Sequence, residues 1–231
     1  MTSAPEWAPW ETWTPSTISH HGRDCCASAR AWFHAMSRSM WRGDGGPVWI
    51  RRDFDWGPTC WPIHWCEALG TEEFCCGAHA ALSAEAFRAR GMRAEPAQLV
   101  QRYDAHNVPH WRDRWAEGGA SPEWAQNGLV YHEACAVITG DRVEIWNATA
   151  SSWVSPADVE GYASVVALRV GGANVTGETV AWGGLHLPLG TWVSTLGKGD
   201  ERAPATPGPA VQFSTTPQER VPRTGTSPVS R

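Results

Sequence analysis

The hydrophobic pattern divides the chain into a helical first half and a strand-rich second half. Small apolar residues recur every fourth position in 24–36, where Asp24 stands as a plausible N-cap, and again in 76–90, where Gly91 occupies a C-terminal cap position. These spacings predict two helices. The helix that begins at Cys76 has the stronger pattern.

Shorter runs predict the remaining elements. Residues 48–54 alternate as a half-buried strand does, 97–103 fit a short helix, and 104–126 read as a long polar loop. The second half is richer in β-branched residues, and we expect strands at 129–139, 142–147, 163–170, 179–182 and 191–195. Helices followed by strands are typical of an α+β domain built on an antiparallel sheet.

The Gly-Asp pair at 140–141 predicts a tight hairpin with a type II′ turn between the first two of these strands. If Thr139 pairs with Arg142, strand alternation puts His132 and Asn147 on one face, which is otherwise apolar. They are then diagonal neighbours about 7–8 Å apart, a spacing from which an amide reaches an imidazole.

An apolar sheet face needs a cover, and we expect the Ala-rich helix that begins at Cys76 to supply it. That packing puts the Cys76 thiol at a helix N-terminus beside His132. Helix dipole, free N–H groups and a nearby imidazolium all favour thiolate. The sequence therefore predicts Cys76 as nucleophile, His132 as base and Asn147 as the residue that orients the imidazole. Cys75 is the alternative nucleophile, one residue before the helix start.

Sixteen tryptophans are far more than chance would give, and several lie close to the proposed nucleophile. Trp56, Trp61 and Trp65 precede it in the sequence, and Trp146 stands next to Asn147. We predict that Trp61, Trp65 and Trp146 bind substrate as walls of an acyl or aromatic pocket. A Trp-rich core is the equally weighted alternative.

Cys60, His64, Cys66 and Cys75 form the one group with a superficial likeness to a metal site. However, the chain contains no Cys-x-x-Cys pair, and the spacing fits no common zinc ribbon. We therefore expect no metal and no other cofactor.

Length and charge limit the remaining possibilities. A chain of 231 residues suits one domain, and 24 acidic against 19 basic residues disfavour nucleic acid or a membrane surface as partner. We predict a flexible N-terminal segment at 1–16, whose three tryptophans are able to dock on the surface of the domain. The catalytic domain is expected at 17–199, and a disordered tail rich in Pro, Ser and Thr at 200–231.

The chain begins without the pattern of a signal peptide and has no apolar run of the roughly 20 residues that a membrane span needs. A cytoplasmic location follows as an expectation. In that reducing compartment the seven cysteines, an odd number, are expected to be thiols.

Two stretches resemble the transglutaminase-like enzymes, a superfamily related to papain. Residues 76–94 are similar to the nucleophile helix of that superfamily, in which a Cys is followed fifteen residues later by Gly. Residues 131–149 are similar to its second half, in which a strand-borne His precedes Asp-Pro-Thr by about fifteen residues. Asn147 replaces the usual Asp here, as in papain-like proteases, and Ala148 replaces the Pro. The resemblance covers 74–149.

The resemblance implies a nucleophile helix packed on an antiparallel sheet and an acyl-thioester mechanism without cofactors. The implied substrate is a small or carrier-bound acyl or amide compound, and the implied chemistry is amide formation in bacterial small-molecule or peptide biosynthesis. Two alternatives stay open. One is a cysteine peptidase or amidase, which lets water accept the acyl group. The other is a binding module that keeps the fold without catalysis.

Overall fold

The computed structural model describes residues 4–19, 23–41, 45–57, 63–103, 107–117, 122–154 and 164–195. The helices are α1 (Arg23–Met40), α2 (Val48–Asp53), α3 (Trp65–Ala68), α4 (Cys76–Ala89) and α5 (Asn107–Glu117). The strands are β1 (Ile18–Ser19), β2 (Asp55–Trp56), β3 (Ile63–His64), β4 (Glu73–Phe74), β5 (Arg93–Arg102), β6 (Ala125–Gln126), β7 (Leu129–Thr139), β8 (Arg142–Asn147), β9 (Ser152–Val154), β10 (Ser164–Val170), β11 (Thr179–Trp182), β12 (Leu185–Pro188) and β13 (Val193–Ser194). The predicted α+β class is confirmed.

Nine strands form the main sheet, in the order β12-β11-β8-β7-β5-β10-β13, with β6 on β7 and β9 on β8. Its pairings are antiparallel except between β11 and β8. The longest ladder joins β5 to β7 and runs from Arg93 opposite Ile138 to Arg102 opposite Leu129. Strand β7 therefore lies at the centre of the sheet and carries neighbours along its whole length.

Helix α4 forms where the sequence predicts it, because alanine has the highest helix propensity and Cys75 before it is extended. Its end is set by Gly91, whose φ of 79° is a left-handed conformation that glycine adopts without a steric penalty. The N–H of Met92 then bonds back to the carbonyl of Phe87. Small side chains let this helix approach the sheet closely.

Both faces of the central sheet are buried. One face packs with α1 and α4 around Phe33, Leu82 and Phe87, and takes Cys135 and Val137 from β7. The other face lies in a second core of Ala134, Ala136, Ile138, Val143, Ile145, Leu168, Val180, Trp182 and Leu187. Helix α4 thus contacts the face of β7 that carries the odd-numbered residues.

The first and last predicted elements agree with the structure. Helix α1 begins one residue before the predicted start and continues to Met40. The strands expected at 129–139, 142–147 and 179–182 are confirmed at those bounds. The two others are confirmed with shorter limits, as β10 and β13.

The strand predicted at 48–54 is wrong, because Val48–Asp53 is helix α2. Val48 is exposed whereas the adjacent Trp49 and Ile50 are both buried. A strand would have buried alternate residues. Six residues are too few to separate a period of two from a period of 3.6.

The helix predicted at 97–103 is also wrong, because residues 97–102 belong to strand β5. Their alanine, glutamine and leucine favour a helix locally, but pairing with β7 and β10 overrides that weak preference. The long loop predicted at 104–126 contains helix α5 and the 3-10 turn Pro122–Trp124.

The described part of the N-terminal segment packs on the sheet. Trp10 is completely buried among Val100, Leu129 and Tyr131, and its indole N–H donates to the carbonyl of Glu123 at 2.9 Å. Residues 4–16 therefore cover one end of the sheet, and Trp10 docks there as the sequence allows for the tryptophans of this segment. The predicted tail at 200–231 lies outside the described residues. None of the helices in the described ranges is both long and apolar enough to cross a membrane.

Candidate active site

The predicted hairpin register is confirmed. Strands β7 and β8 pair antiparallel from Thr139 opposite Arg142 to Cys135 opposite Trp146. Gly140 has φ 62° at the first turn position, as a type II′ turn requires. The candidate base on β7 and its partner at the end of β8 lie just beyond the last of these pairs.

His132 and Asn147 meet at that end, as the sequence predicts. The imidazole Nε2 lies 3.0 Å from the Asn147 Oδ1, and the hydroxyl of Thr149 donates to the same oxygen at 2.9 Å. A carbonyl oxygen only accepts hydrogen bonds, so the proton of a neutral His132 is on Nε2. This assignment leaves Nδ1 with a free lone pair, which is the property that a general base needs.

Cys76 is the first residue of α4, next to the extended Cys75 at φ −70° and ψ 171°. The first helical bond runs from the His79 N–H to the carbonyl of Cys75 at 3.1 Å. The Cys76 side chain is 5% exposed. Backbone groups of Gly77 and Glu133 lie close enough to influence its ionisation. The thiol thus borders the residue that follows His132 on β7.

The predicted cover of the His132 face is wrong. Tyr131 and Glu133 lie on the α4 side of β7, whereas His132 lies on the side of Ala134 and the second core. Both faces of β7 are apolar beyond this point, so alternation alone did not reveal which one the helix covers. Among the hydrogen bonds of the described residues, none joins the Cys76 thiol to the His132 imidazole.

The ionisation of Cys76 and His132 in the structure also differs from the expected thiolate-imidazolium pair. Burial raises the pKa of the Cys76 thiol well above its ordinary value, and Cys75 and Glu133 raise it further. The backbone N–H groups of Gly77 and Glu133 lower it only in part. Burial also lowers the pKa of His132 to about 4, against a smaller opposing effect of Asn147. The resting pair is therefore neutral thiol and neutral imidazole.

A buried polar network that the sequence did not reveal lies under the N-terminus of α4. The Tyr131 hydroxyl donates to Glu133 Oε1 at 2.9 Å, and the Gln98 amide donates to that hydroxyl at 2.7 Å. Arg169 Nε donates to the Gln98 carbonyl oxygen at 2.7 Å. Polar residues inside apolar strand runs were the available signal, since such residues are buried only when they are paired.

The N-terminal segment is tied to this network by its backbone. The carbonyl of Trp13 accepts from both Gln98 and Arg169, and the N–H of Ser16 donates to Glu133 Oε2 at 2.8 Å. A Cβ placed on Gly77 would lie 2.1 Å from the Ser16 Oγ. Only glycine therefore fits after Cys76, and the segment lies directly over the start of α4.

His79, one helical turn after Cys76, is a second imidazole close to the site. It is completely buried, and its Nε2 lies 3.3 Å from the carbonyl of Asp55. The Nδ1 atom is buried without a hydrogen-bond partner. Burial lowers the pKa of His79 to about 4, and His132 contributes to that shift. The start of α4 and the His132 ring are thus within electrostatic reach of each other.

The stability of the protein is expected to fall in acid because of His79. A histidine with a pKa of about 6.5 when unfolded and about 4 when folded stabilises the fold above pH 6.5, and this contribution is lost as the pH falls toward 4. The full loss is about 3 kcal/mol. Urea unfolding at neutral pH and near pH 4 measures it. His79→Gln keeps an N–H donor but does not titrate, so its free energy of unfolding should depend less on pH. Equal pH dependence in both proteins would contradict the assignment.

The tryptophans predicted to bind substrate have different environments. Trp65 and Trp146 are buried in the core beside Phe33 and Phe87, respectively, as the alternative of a Trp-rich core anticipates. Trp61 lies outside the described residues.

Cys60 of the rejected metal cluster also lies outside the described residues. In the ranges that the structure does describe, no three His, Cys, Asp or Glu side chains are grouped to hold a metal ion.

Comparisons of the chain with protein-family models, with curated proteins and with solved structures find no match. The resemblance to transglutaminase-like enzymes thus stays a prediction that rests on residues 74–149. The site has to be interpreted from its own geometry.

Proposed function

We propose that this protein is a cytoplasmic enzyme for cysteine-dependent acyl transfer, similar in mechanism to the transglutaminase-like enzymes. Its substrate is a small or carrier-bound acyl or amide compound. One observation carries the proposal. The hydrogen bond to Asn147 fixes the His132 imidazole and leaves its Nδ1 free to accept a proton. His132 is the residue before Glu133, whose backbone contacts Cys76.

The first step is thioester formation. The Cys76 sulfur attacks the carbonyl carbon of the donor, and the thiol proton passes to His132 Nδ1. Collapse of the tetrahedral intermediate breaks the bond to the leaving group, which takes the proton from the imidazolium. Free N–H groups at the start of α4 are suited to stabilise the oxyanion in between. Because the Cys76 thiol and the His132 imidazole lie on opposite sides of β7, this step requires a rearrangement that brings the two groups together.

The second step returns the enzyme to its starting state. An amine, or water in the hydrolytic alternative, attacks the thioester carbonyl and gives its proton to His132. The imidazolium then protonates the departing thiolate. Asn147 stabilises the imidazolium less than the aspartate of the related enzymes would, because an amide carries no charge. A neutral resting pair is consistent with that difference.

Acylation of Cys76 by an activated aryl thioester tests the proposal. We expect one acyl group on the peptide that contains Cys76, identified by mass spectrometry after digestion. Hydroxylamine added before digestion should be converted to a hydroxamate faster than free acid forms, because an amide-forming enzyme prefers a nitrogen nucleophile to water. Faster release of the acid would favour the peptidase or amidase alternative.

A binding module on this fold is the second candidate. The observation in its favour is that burial disfavours both charges of the catalytic pair. A binding module should form no acyl-enzyme with any activated donor, even when the protein stays folded throughout the incubation. Acylation confined to other cysteines would support the same candidate.

A further inference from the structure

The Glu133 carboxylate is fixed at the N-terminal end of α4. It is 5% exposed, and both oxygens accept a hydrogen bond, Oε1 from Tyr131 and Oε2 from the Ser16 N–H. A Cβ on Gly77 would lie 3.0 Å from Oε2. Burial raises the pKa of this carboxyl above its ordinary value, and the hydrogen bonds from Ser16 and Tyr131 oppose that shift. In its ionised form Glu133 therefore places a negative charge against the residue that follows Cys76.

The groups around Glu133 determine how much of its charge acts on the Cys76 thiol. The titratable and charged groups around Glu133 are Tyr131 on its own strand, Cys75 and Cys76 on α4, Arg169 on β10, and His132 on the opposite face of β7. Arg169 does not reach Glu133, because Gln98 and Tyr131 stand between them in the hydrogen-bond chain. The positive charge consequently offsets little of the effect of the carboxylate on Cys76.

Two electrostatic effects on the ionisation of the Cys76 thiol oppose each other. The helix N-terminus and nearby N–H groups favour thiolate, whereas the negative charge of an ionised Glu133 disfavours it. We infer that Glu133 is a positioning residue that controls the ionisation of Cys76 and, as a carboxylate, holds the thiol in its protonated form. Loss of that charge increases the thiolate fraction at neutral pH. The network under α4 therefore protects the nucleophile from adventitious alkylation and oxidation in the resting state.

Glu133→Gln tests this inference because it removes the charge and keeps the shape. The readout is the rate of Cys76 alkylation by iodoacetamide from neutral to alkaline pH, followed by peptide mapping because other thiols compete. We expect the inflection to move down by about one pH unit. The thiolate fraction at neutral pH then rises about tenfold, but a less basic thiolate is less nucleophilic, with a Brønsted coefficient of about 0.4–0.5, so the rate rises only about threefold. The position of the inflection is the decisive quantity.

Glu144→Gln is the matched control, because Glu144 is exposed on β8 and its loss changes the net charge equally. Its profile should coincide with that of the wild type, and Glu133→Asp, which keeps the charge, should stay closer to the wild type than Glu133→Gln does. An unmoved inflection in a folded Glu133→Gln protein overturns the inference. An equal shift in Glu144→Gln also overturns it.

Alkylation of the completely buried Cys135 reports whether a variant has lost its packed core. If the core of Glu133→Gln is lost, Glu133→Met supplies a second neutral residue of similar length. We expect the same shift of the alkylation inflection from it. The inference rests on the proposed role of Cys76, but alkylation needs no turnover. A shifted profile without an acyl-enzyme would therefore overturn the proposed function alone.

Discussion

Replacing Cys76 by serine should lower the rate of acyl transfer by at least about 10⁴-fold, since loss of the nucleophile of a catalytic unit typically costs this much or more. A serine hydroxyl at this position would depend on His132 for activation. The pKa of that imidazole is held near 4 by burial, which makes it a weak base for so weak an acid. Turnover of an activated thioester, measured with hydroxylamine as acceptor, gives the rate.

Cys75→Ser is the control for this substitution, because Cys75 is also buried and is the neighbour of Cys76 at the helix start. We expect it to keep most of the activity. If Cys75→Ser is the inactive variant and Cys76→Ser is active, the nucleophile has been assigned to the wrong residue. Circular dichroism and the urea midpoint should agree among the three proteins, so that a loss of rate is not a loss of fold.

The local geometry of the site was predictable from the sequence because short-range rules determine it. Alternation and the Gly140 turn predicted the register that brings His132 and Asn147 together. Alanine spacing and Gly91 predicted α4 and therefore placed Cys76 at a helix N-terminus. Each of these steps depends on residues that are close in the chain or joined by one tight turn.

The side on which α4 packs was not predictable in this way. Val137 and Ile138 are both buried although they point to opposite faces of β7, so the pattern does not distinguish the two faces. Helix α4 covers one face of β7, whereas residues from strands distant in sequence bury the other face. Arg169 and Gln98 illustrate the same limit, because their partners are backbone carbonyls of the N-terminal segment far away in sequence.

The N-terminal segment gives the largest expected change in stability. Trp10→Ala should lower the free energy of unfolding by about 3–5 kcal/mol, because it deletes a completely buried indole and leaves a cavity among Val100, Leu129 and Tyr131. It also removes the donor to the Glu123 carbonyl. Urea unfolding at neutral pH measures the difference.

Trp32→Ala is the matched control, since Trp32 on α1 is 49% exposed and should change the free energy of unfolding by only about 0.5 kcal/mol. If Trp10→Ala is no more destabilising than Trp32→Ala, the segment does not pack as described. A large effect of Trp10→Ala would mean that residues before 17 belong to the cooperative fold. The chain that covers Glu133 and the start of α4 would then be held by its own hydrophobic anchor.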